Sequence, residues 1–561
     1  MRNKDVMSRK ERQPSGSLLI DVRGLSLRGV HAPLFFDVSF NIHEGEVLGL
    51  IGSGGSGKST LLRTLIGMQN PYQGEVLIPN KVTAQYVPQV FEDLDFDEDP
   101  TIQNLMLEAR GLLALELKMR ELEIEMDENF SESVMMSYSH VQEEYGRLGG
   151  WDSDHAIAEI LAGVGLSNIP VSRQINQLSS GQKRKILVAR SLFAHPDLLI
   201  LDEPTSHLDA ESTAWLISYL QRTNQGAIVA TNNLSLLKSI PSQILELTQG
   251  GRPVLFSGNI EEFEQQKSDL MGYENTEIKK QQAKVSQLKE TVARFKSMGD
   301  KRSKKAARRR KVIERRAVKL DAQLSQLKDV AISDDGKYKQ LSFSELRRSG
   351  NDVLLIRGVK KSYPESNVPA VDLSNIEILV ERGQRLAVVG PNGSGKSTLF
   401  RMIIDADLFG PDEGIIKQGS NVEIGYFSPS NDLGEDGERV IEVAKRLSGY
   451  RDEKAVRSVL AFWGFTGGKP YQRTLGSLSQ GERIQLQLAG IMLREPNVLI
   501  LDEPTGNLSI DMKNRLAKSL EQYDGTLLVV SHEQEFLENL GVNSVLRLPS
   551  GEYEDVYWEE N

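Results

Sequence analysis

Two stretches of this chain carry residues that together can move a phosphoryl group. Gly52-Ser53-Gly54-Gly55-Ser56-Gly57-Lys58-Ser59-Thr60 and Gly390-Pro391-Asn392-Gly393-Ser394-Gly395-Lys396-Ser397-Thr398 both fit G-x-x-x-x-G-K-S. The glycines let backbone N–H groups wrap phosphate oxygens at a helix N-terminus. Lys58 and Lys396 are placed to reach the β- and γ-phosphates, and the Ser59 and Ser397 hydroxyls to bind Mg2+. Farther on, Asp202 and Asp502 each end an apolar run, and Glu203 and Glu503 follow them. The aspartates are the expected second metal ligands, and the glutamates are placed to polarise an attacking water. The expected chemistry is hydrolysis of ATP with Mg2+, catalysed by Glu203 and Glu503.

Positioned phosphates need a strand feeding each loop and a helix leaving it. Glu46–Ile51 and Arg385–Val389 read as those strands. The apolar runs at 198–201 and 498–501 read as a second strand in each copy. Leu178-Ser-Ser-Gly-Gln182 parallels Leu478-Ser-Gln-Gly-Glu482, and both Ser179–Asp202 and Ser479–Asp502 span 23 positions. The chain is therefore a duplication. The expected fold class is α/β, with two tandem P-loop ATPase domains.

The 561 residues, 39% hydrophobic, are enough for several packed cores. With no cysteine, disulfides and thiolate metal sites are excluded. No run of about 18 apolar residues, the length that spans a bilayer, occurs in the sequence, and Met1–Ser17 is a polar, basic tail without the apolar core of a secretory signal. A cytoplasmic location is the expectation. The formal net charge of −11 is uneven: from Glu277 to Lys319 there are 17 Lys or Arg against 4 Asp or Glu. That segment carries +13 and the remainder −24, so an anionic partner is expected for the segment alone.

The same segment has helical periodicity. Ile278, Val285, Leu288, Val292 and Phe295, then Ile313, Ala317, Leu320, Leu324 and Leu327, fall at heptad spacing. Two helices packed along one seam are expected, with Lys301, Arg302, Lys304, Lys305, Arg308, Arg309 and Arg310 near the tip and placed to meet nucleic-acid phosphates. A solvated basic face is the bland alternative. The first copy also carries 38 extra residues between its lysine and its L-S-x-G motif, at about 105–149. The stripes Leu112, Leu115, Met119, Leu122, Met126 and Val134, Tyr138, Val141, Tyr145, Leu148 predict two helices turning near Asp127–Phe130. They form either a projecting arm or an enlarged helical subdomain. The first is acidic, so a protein surface suits it better than bare RNA.

L-S-x-G-[QE] about twenty residues before an apolar strand ending in D-E-P-T resembles the ATP-binding cassette ATPases, in both halves. That resemblance implies head-to-tail pairing of the cassettes. Ser179, Gly181 and Gln182 would then close the second ATP site, and Ser479, Gly481 and Glu482 the first. It implies a γ-phosphate histidine, which His532 fits, whereas the first site has Asn232. It implies a glutamine that contacts magnesium and water; Gln89 fits, but the second site has Pro429, with Asn431 as a stand-in. The loop aspartate Asp209 is matched by Ser509. Tyr363 is the expected adenine-stacking residue of the second site. Binding at both sites and slow, unequal hydrolysis are expected.

Two fused cassettes, a helical insertion and a basic helical linker together resemble the ABC-F proteins, soluble ATPases that act on ribosomes. The resemblance implies a monomer with intramolecular cassette pairing and no membrane subunit. It implies a linker reaching from the tRNA exit region towards the peptidyl-transferase centre. The implied partners are large-subunit rRNA, peptidyl-tRNA and a ribosomal protein near the exit site. Some members tune elongation and others protect against antibiotics. The expected boundaries are a tail at 1–17, a first cassette at 18–263, a linker at 264–345 and a second cassette at 346–561. The rival reading, an ATPase subunit of a membrane importer, expects a short linker. It is opposed by seven basic positions among the 12 residues Arg308–Lys319. A DNA-repair or chromosome-structural ATPase would carry zinc sites or much longer coiled coils.

Overall fold

The computed structural model describes residues 16–29, 33–89, 99–128, 131–248, 253–269, 347–363, 369–428, 432–449, 452–465, 470–506 and 508–556, with a few positions between 286 and 314. The chain divides into two compact units, one of residues 1–255 with 341–561 and one of residues 256–340. The first unit holds both cassettes.

Each cassette repeats one architecture. In the first, β1 (Leu18–Arg28) pairs antiparallel with β2 (Pro33–His43) and β4 (Gln73–Leu77). Beside this small sheet, β3 (Val47–Gly52), β5 (Ala84–Val87), β6 (Leu198–Asp202), β7 (Gly226–Ala230) and β8 (Gln243–Leu247) form a parallel sheet in the order β5-β6-β7-β3-β8. After β9 (Val254–Ser257), the second cassette has the antiparallel sheet β11-β10-β13, from Val371–Glu381, Asp352–Lys361 and Glu413–Gln418 respectively. Its parallel strands run β14-β15-β16-β12-β17, from Ile424–Phe427, Val498–Asp502, Thr526–Val530, Arg385–Val389 and Ser544–Arg547.

The strand sequences explain the layering. Every residue of β6 is buried, because both faces of a parallel sheet are covered. Its side chains alternate: Leu199 and Leu201 face one core, and Leu198 and Ile200 face another. In β15, Leu499 and Leu501 likewise face away from Val498 and Ile500. The loop after β3, Gln89 after β5, Asp202 and Glu203 at the end of β6 and Asn232 after β7 all lie at carboxyl ends of parallel strands. That is where open α/β sheets bind ligands.

The insertion folds as helices Leu112–Glu128 and Glu132–Arg147, with Ser131 capping the second by accepting from Val134 N at 3.3 Å. Leu112, Met119, Leu122, Val134 and Tyr145 are buried along the expected stripes. Tyr145 and Tyr138 clamp the pair by donating to Glu116 (2.8 Å) and Glu123 (2.9 Å). Leu117, Ile124, Met135 and Met136 stay exposed.

In the unit of residues 256–340, residues 260–269 are helical, and Phe263 packs edge-on against Phe256 at 4.8 Å. Positions 286–288, 290, 291, 293, 312 and 314 are helical. The seven basic residues from Lys301 to Arg310 lie outside the described residues, as do Pro429 and Asn431.

Candidate active sites

At each phosphate loop the chain turns from a strand into a helix over a glycine-rich bend. Gly57, at φ 99°, opens the helix Lys58–Leu65, and Gly395 at φ 93° opens Lys396–Ile404. This left-handed conformation is open to glycine and strained for other residues. Lys58 Nζ donates to the Gly52 carbonyl at 2.6 Å; Lys396 Nζ donates to Gly390 (2.7 Å) and Pro391 (2.9 Å). Both ammonium groups sit within their loops, and burial pulls both below the ordinary lysine range.

The acids meet these lysines. Burial pushes Asp202 and Asp502 up, and hydrogen bonds from Ser59 and Ser397 pull them back. Glu203 and Glu503 lie nearer the cleft surface than the aspartates, the Glu503 side chain being 31% exposed. Burial raises Glu203; Lys58 opposes this, Asp202 adds to it, and Lys513 of the other cassette opposes it. Glu503 is pushed up to about 8, chiefly by burial. Both glutamates hold φ +50°, a costly backbone state for a side-chain-bearing residue. Glu203 N donates to Ala230 O (2.7 Å), Glu503 N donates to Val530 O (2.9 Å), and Arg184 adds a 3.0 Å bond to the Glu203 carbonyl. These bonds fix both carboxylates at the strand ends.

Asn232 and His532 each reach their own glutamate. Asn232 Nδ2 donates to Glu203 Oε1 at 3.1 Å, and His532 Nε2 lies 3.2 Å from Glu503 Oε1. Burial lowers His532 to about 4, so its ring is neutral at pH 7. Asn232 is thus a donor to Glu203 as well as the position where a histidine was expected. Its Oδ1 is buried without a partner among the described residues.

The first site is composite. A cleft of about 400 Å³ is lined by the loop 53–60, Gln89, Asp202, Glu203, Asn232 and, from the second cassette, Ser479, Gln480 and Gly481. A Cβ on Gly54 would lie 2.8 Å from Ser479 Oγ, so a side chain there would force the Ser479 hydroxyl to shift. Gly29 and Leu34 also line the cleft; their sequence context offered no signal. At the second loop, Asn392 Nδ2 donates to His207 O at 2.9 Å, and the Asn392 backbone N–H meets Asp209. Gly181 packs beside His207. Tyr363 is partly exposed, its hydroxyl 3.5 Å from Thr398 Oγ1.

Gln182 and Glu482, expected at the nucleotide, are engaged in their own helices. Ser179 accepts from Gln182 N (3.3 Å) while Gln182 Oε1 accepts from Ser179 N (3.0 Å), and Ser479 and Glu482 do the same. Each is a capping box. Arg473 also pairs with Glu482 at 2.6 Å. The S-x-x-[QE] spacing was the available signal. Asp209 accepts from Ser212 N at 2.9 Å and caps the helix Ala210–Arg222, whereas Ser509 makes no such bond for Ile510–Glu521. Lys513, one turn into that helix, donates across to Asn232 O at 2.8 Å. Sequence reasoning passed over it.

The donor set suits magnesium. Asp202 Oδ2 is buried without a partner among the described residues, and Ser59 and Gln89 stand at the same cleft. No group of three or more His, Cys, Asp or Glu among the described residues could hold a metal alone. A hydroxyl and one carboxylate, completed by phosphate oxygens and water, is the usual coordination of Mg2+ at nucleotide sites.

Family models described as ABC transporter match residues 35–206 and 373–506, and a second model so described matches 247–330. The chain is 32% identical to the putative ATP-binding protein YdiF of Bacillus subtilis, over 96% of this chain and 81% of that protein. It is 27% identical to the energy-dependent translational throttle protein EttA of Mycobacterium tuberculosis, over 90% and 86%. Among solved structures, an archaeal ribosome recycling factor, aABCE1, in complex with the stalk protein aP1, superposes with TM-score 0.60 at 17% identity, covering 95% of this chain and 89% of that one. At that identity the likeness is one of fold. No described helix is long and apolar enough to cross a membrane.

Proposed function

Because the chain belongs to the ABC-F family of twin-cassette ATPases, we propose that it binds the ribosome in the tRNA exit region and uses its linker, 264–345, to act on peptidyl-tRNA near the peptidyl-transferase centre. It does so in the cytoplasm as a monomer, tuning translation or displacing a drug bound there. The carrying observation is the first ATP site, completed within one chain by Ser479 meeting Gly54. A molecule that holds both halves of its ATP site can open and close it without a second copy of itself. A relative supports the target: it carries the name of a translational throttle.

At each site the loop N–H groups and Lys58 or Lys396 hold the β- and γ-phosphates. Ser59, Asp202 and Gln89 would hold Mg2+ at the first site, and Ser397 and Asp502 at the second, where the ion would supply Lewis-acid neutralisation of phosphate charge. Glu203 and Glu503 orient the attacking water and accept its proton. His532 and Asn232 hold those carboxylates and face the γ-phosphate. Tyr363 stacks on adenine in the second site.

The linker carries the charge expected of an rRNA- or tRNA-binding probe, so ribosome affinity should fall steeply with salt as counterions are released. The test is co-sedimentation of the Glu203→Gln/Glu503→Gln protein, loaded with ATP, with ribosomes across a salt series. Replacing Lys301, Arg302, Lys304, Lys305, Arg308, Arg309 and Arg310 by Gln should weaken binding by orders of magnitude and flatten the salt slope. Equal pelleting at every salt concentration would reduce the basic run to a solvated face.

A further inference from the structure

The two catalytic glutamates are joined by a short polar chain that crosses between the cassettes. Glu203 accepts from Asn232 Nδ2 at 3.1 Å, and the Asn232 carbonyl accepts from Lys513 Nζ at 2.8 Å. Lys513 also pairs with Glu533 at 2.5 Å. Glu533 follows His532, whose ring lies 3.2 Å from Glu503. Lys513 is only 4% exposed, so neither bond is diluted by solvent. A buried ammonium requires partners, and here one comes from each cassette.

The arrangement is asymmetric. Thr213 stands in the first cassette where Lys513 stands in the second, 11 residues past the strand-ending aspartate. Its side chain is too short to make the reciprocal crossing. The loops differ in step with this. Asn233 caps its own helix, accepting from Leu236 N at 3.0 Å, whereas Glu533 caps nothing and turns to Lys513. A second bridge, Lys238–Glu535 at 3.0 Å, ties the same two loop-following helices together.

We infer that Lys513 is a positioning residue that couples the two ATP sites, setting the geometry of Glu203 according to the state of the loop that bears His532 and Glu533. A change at the second site that draws Glu533 away removes one of the two anchors of Lys513. The Asn232 backbone, and with it the Glu203 carboxylate, is then free to shift. Misplacing a catalytic base by about 1 Å can cost roughly 100-fold in rate. Coupling of this kind is a free energy shared by both sites.

The inference rests on the roles proposed for Glu203 and Glu503. Failure of those roles shows separately, as turnover surviving in the Glu203→Gln/Glu503→Gln protein. The test measures steady-state ATP turnover of the full-length protein and of each single Glu→Gln variant, with and without Lys513→Met. In the parent, the two single-site rates should sum to less than about half of the two-site rate. In Lys513→Met the single-site rates should become additive, and Lys513→Arg, which keeps both bonds, should restore the deficit. Glu533→Gln leaves Lys513 in place but weakens its link to the second site, and it should also give additivity. A merely structural lysine would lower all rates together and leave the deficit unchanged. If Lys513→Met does not fold, by circular dichroism, Glu533→Gln decides alone. Additive rates in the parent, or a deficit that survives in the decisive variant, overturn the coupling.

Discussion

Replacing Asn232 by histidine should speed the first ATP site. Asn232 Nδ2 donates to Glu203 at 3.1 Å, whereas His532 Nε2 lies 3.2 Å from a Glu503 Oε1 that has no hydrogen-bond partner among the described residues. The difference lies in what each residue offers the γ-phosphate. Asn232 commits one amide N–H to Glu203, and its carbonyl oxygen is buried without a partner among the described residues. An imidazole at that position would offer the γ-phosphate a ring nitrogen instead. A hydrogen bond to a charged group contributes about 1.5–3 kcal/mol net, which corresponds to roughly 10- to 100-fold in rate. Phosphate release should be followed with Glu503→Gln in the background, so that only the first site turns over. Asn232→His should raise kcat at least ~10-fold within that range. With Glu203→Gln in the background, His532→Asn should lower second-site kcat by a similar factor. Because His532 titrates at about 4, its ring stays neutral from pH 6 to 8, and neither profile should show an imidazole inflection there. Unchanged second-site turnover in His532→Asn, or a slower first site in Asn232→His, would refute the reasoning.

Three further outcomes follow from the geometry. Glu503, raised to about 8 by burial, takes up a proton on folding, so its contribution to stability is full below about pH 4.5 and lost as pH rises through 8. Glu503→Gln mimics the protonated form and should stabilise the protein by up to about 4 kcal/mol near pH 8 and by under about 1 kcal/mol near pH 5, read by thermal unfolding. Asp209→Ala removes the cap on Ser212 N and should cost about 1 kcal/mol; Ser509→Asp should add up to about 1 kcal/mol by capping Ile510–Glu521. Gly54→Ala places a methyl against Ser479 Oγ and should slow the first site roughly 10-fold in the Glu503→Gln background. In the Glu203→Gln background it should leave the second site unchanged.

Much of this was legible because local chemistry dictates it. Glycine spacing fixes a phosphate loop, a fully apolar run fixes a buried parallel strand, and a heptad stripe fixed the paired helices at 112–128 and 132–147. What was not legible is chemistry made between distant parts of the chain. Lys513 meets Asn232 across 281 positions, and nothing in a helical lysine's neighbours says that it will be buried. Asn232 read as a lost histidine, and only the packing shows it donating to Glu203. Gln182 and Glu482 belonged to a motif associated with nucleotide, and that association hid the plainer capping box they also spell.

The crossing made by Lys513 is a licence that covalent fusion grants. Were the two cassettes separate identical subunits, two-fold symmetry would repeat every interfacial change in both sites. One lysine would become two, each seeking an Asn232 carbonyl and a Glu533. The Thr213–Lys513 mismatch could not arise. Joined in one chain, each half of the interface is written once, so one site can trade catalytic speed for control while the other keeps its histidine. The engine can then have a master and a follower, an ordering in time that no symmetric pair can encode in its residues.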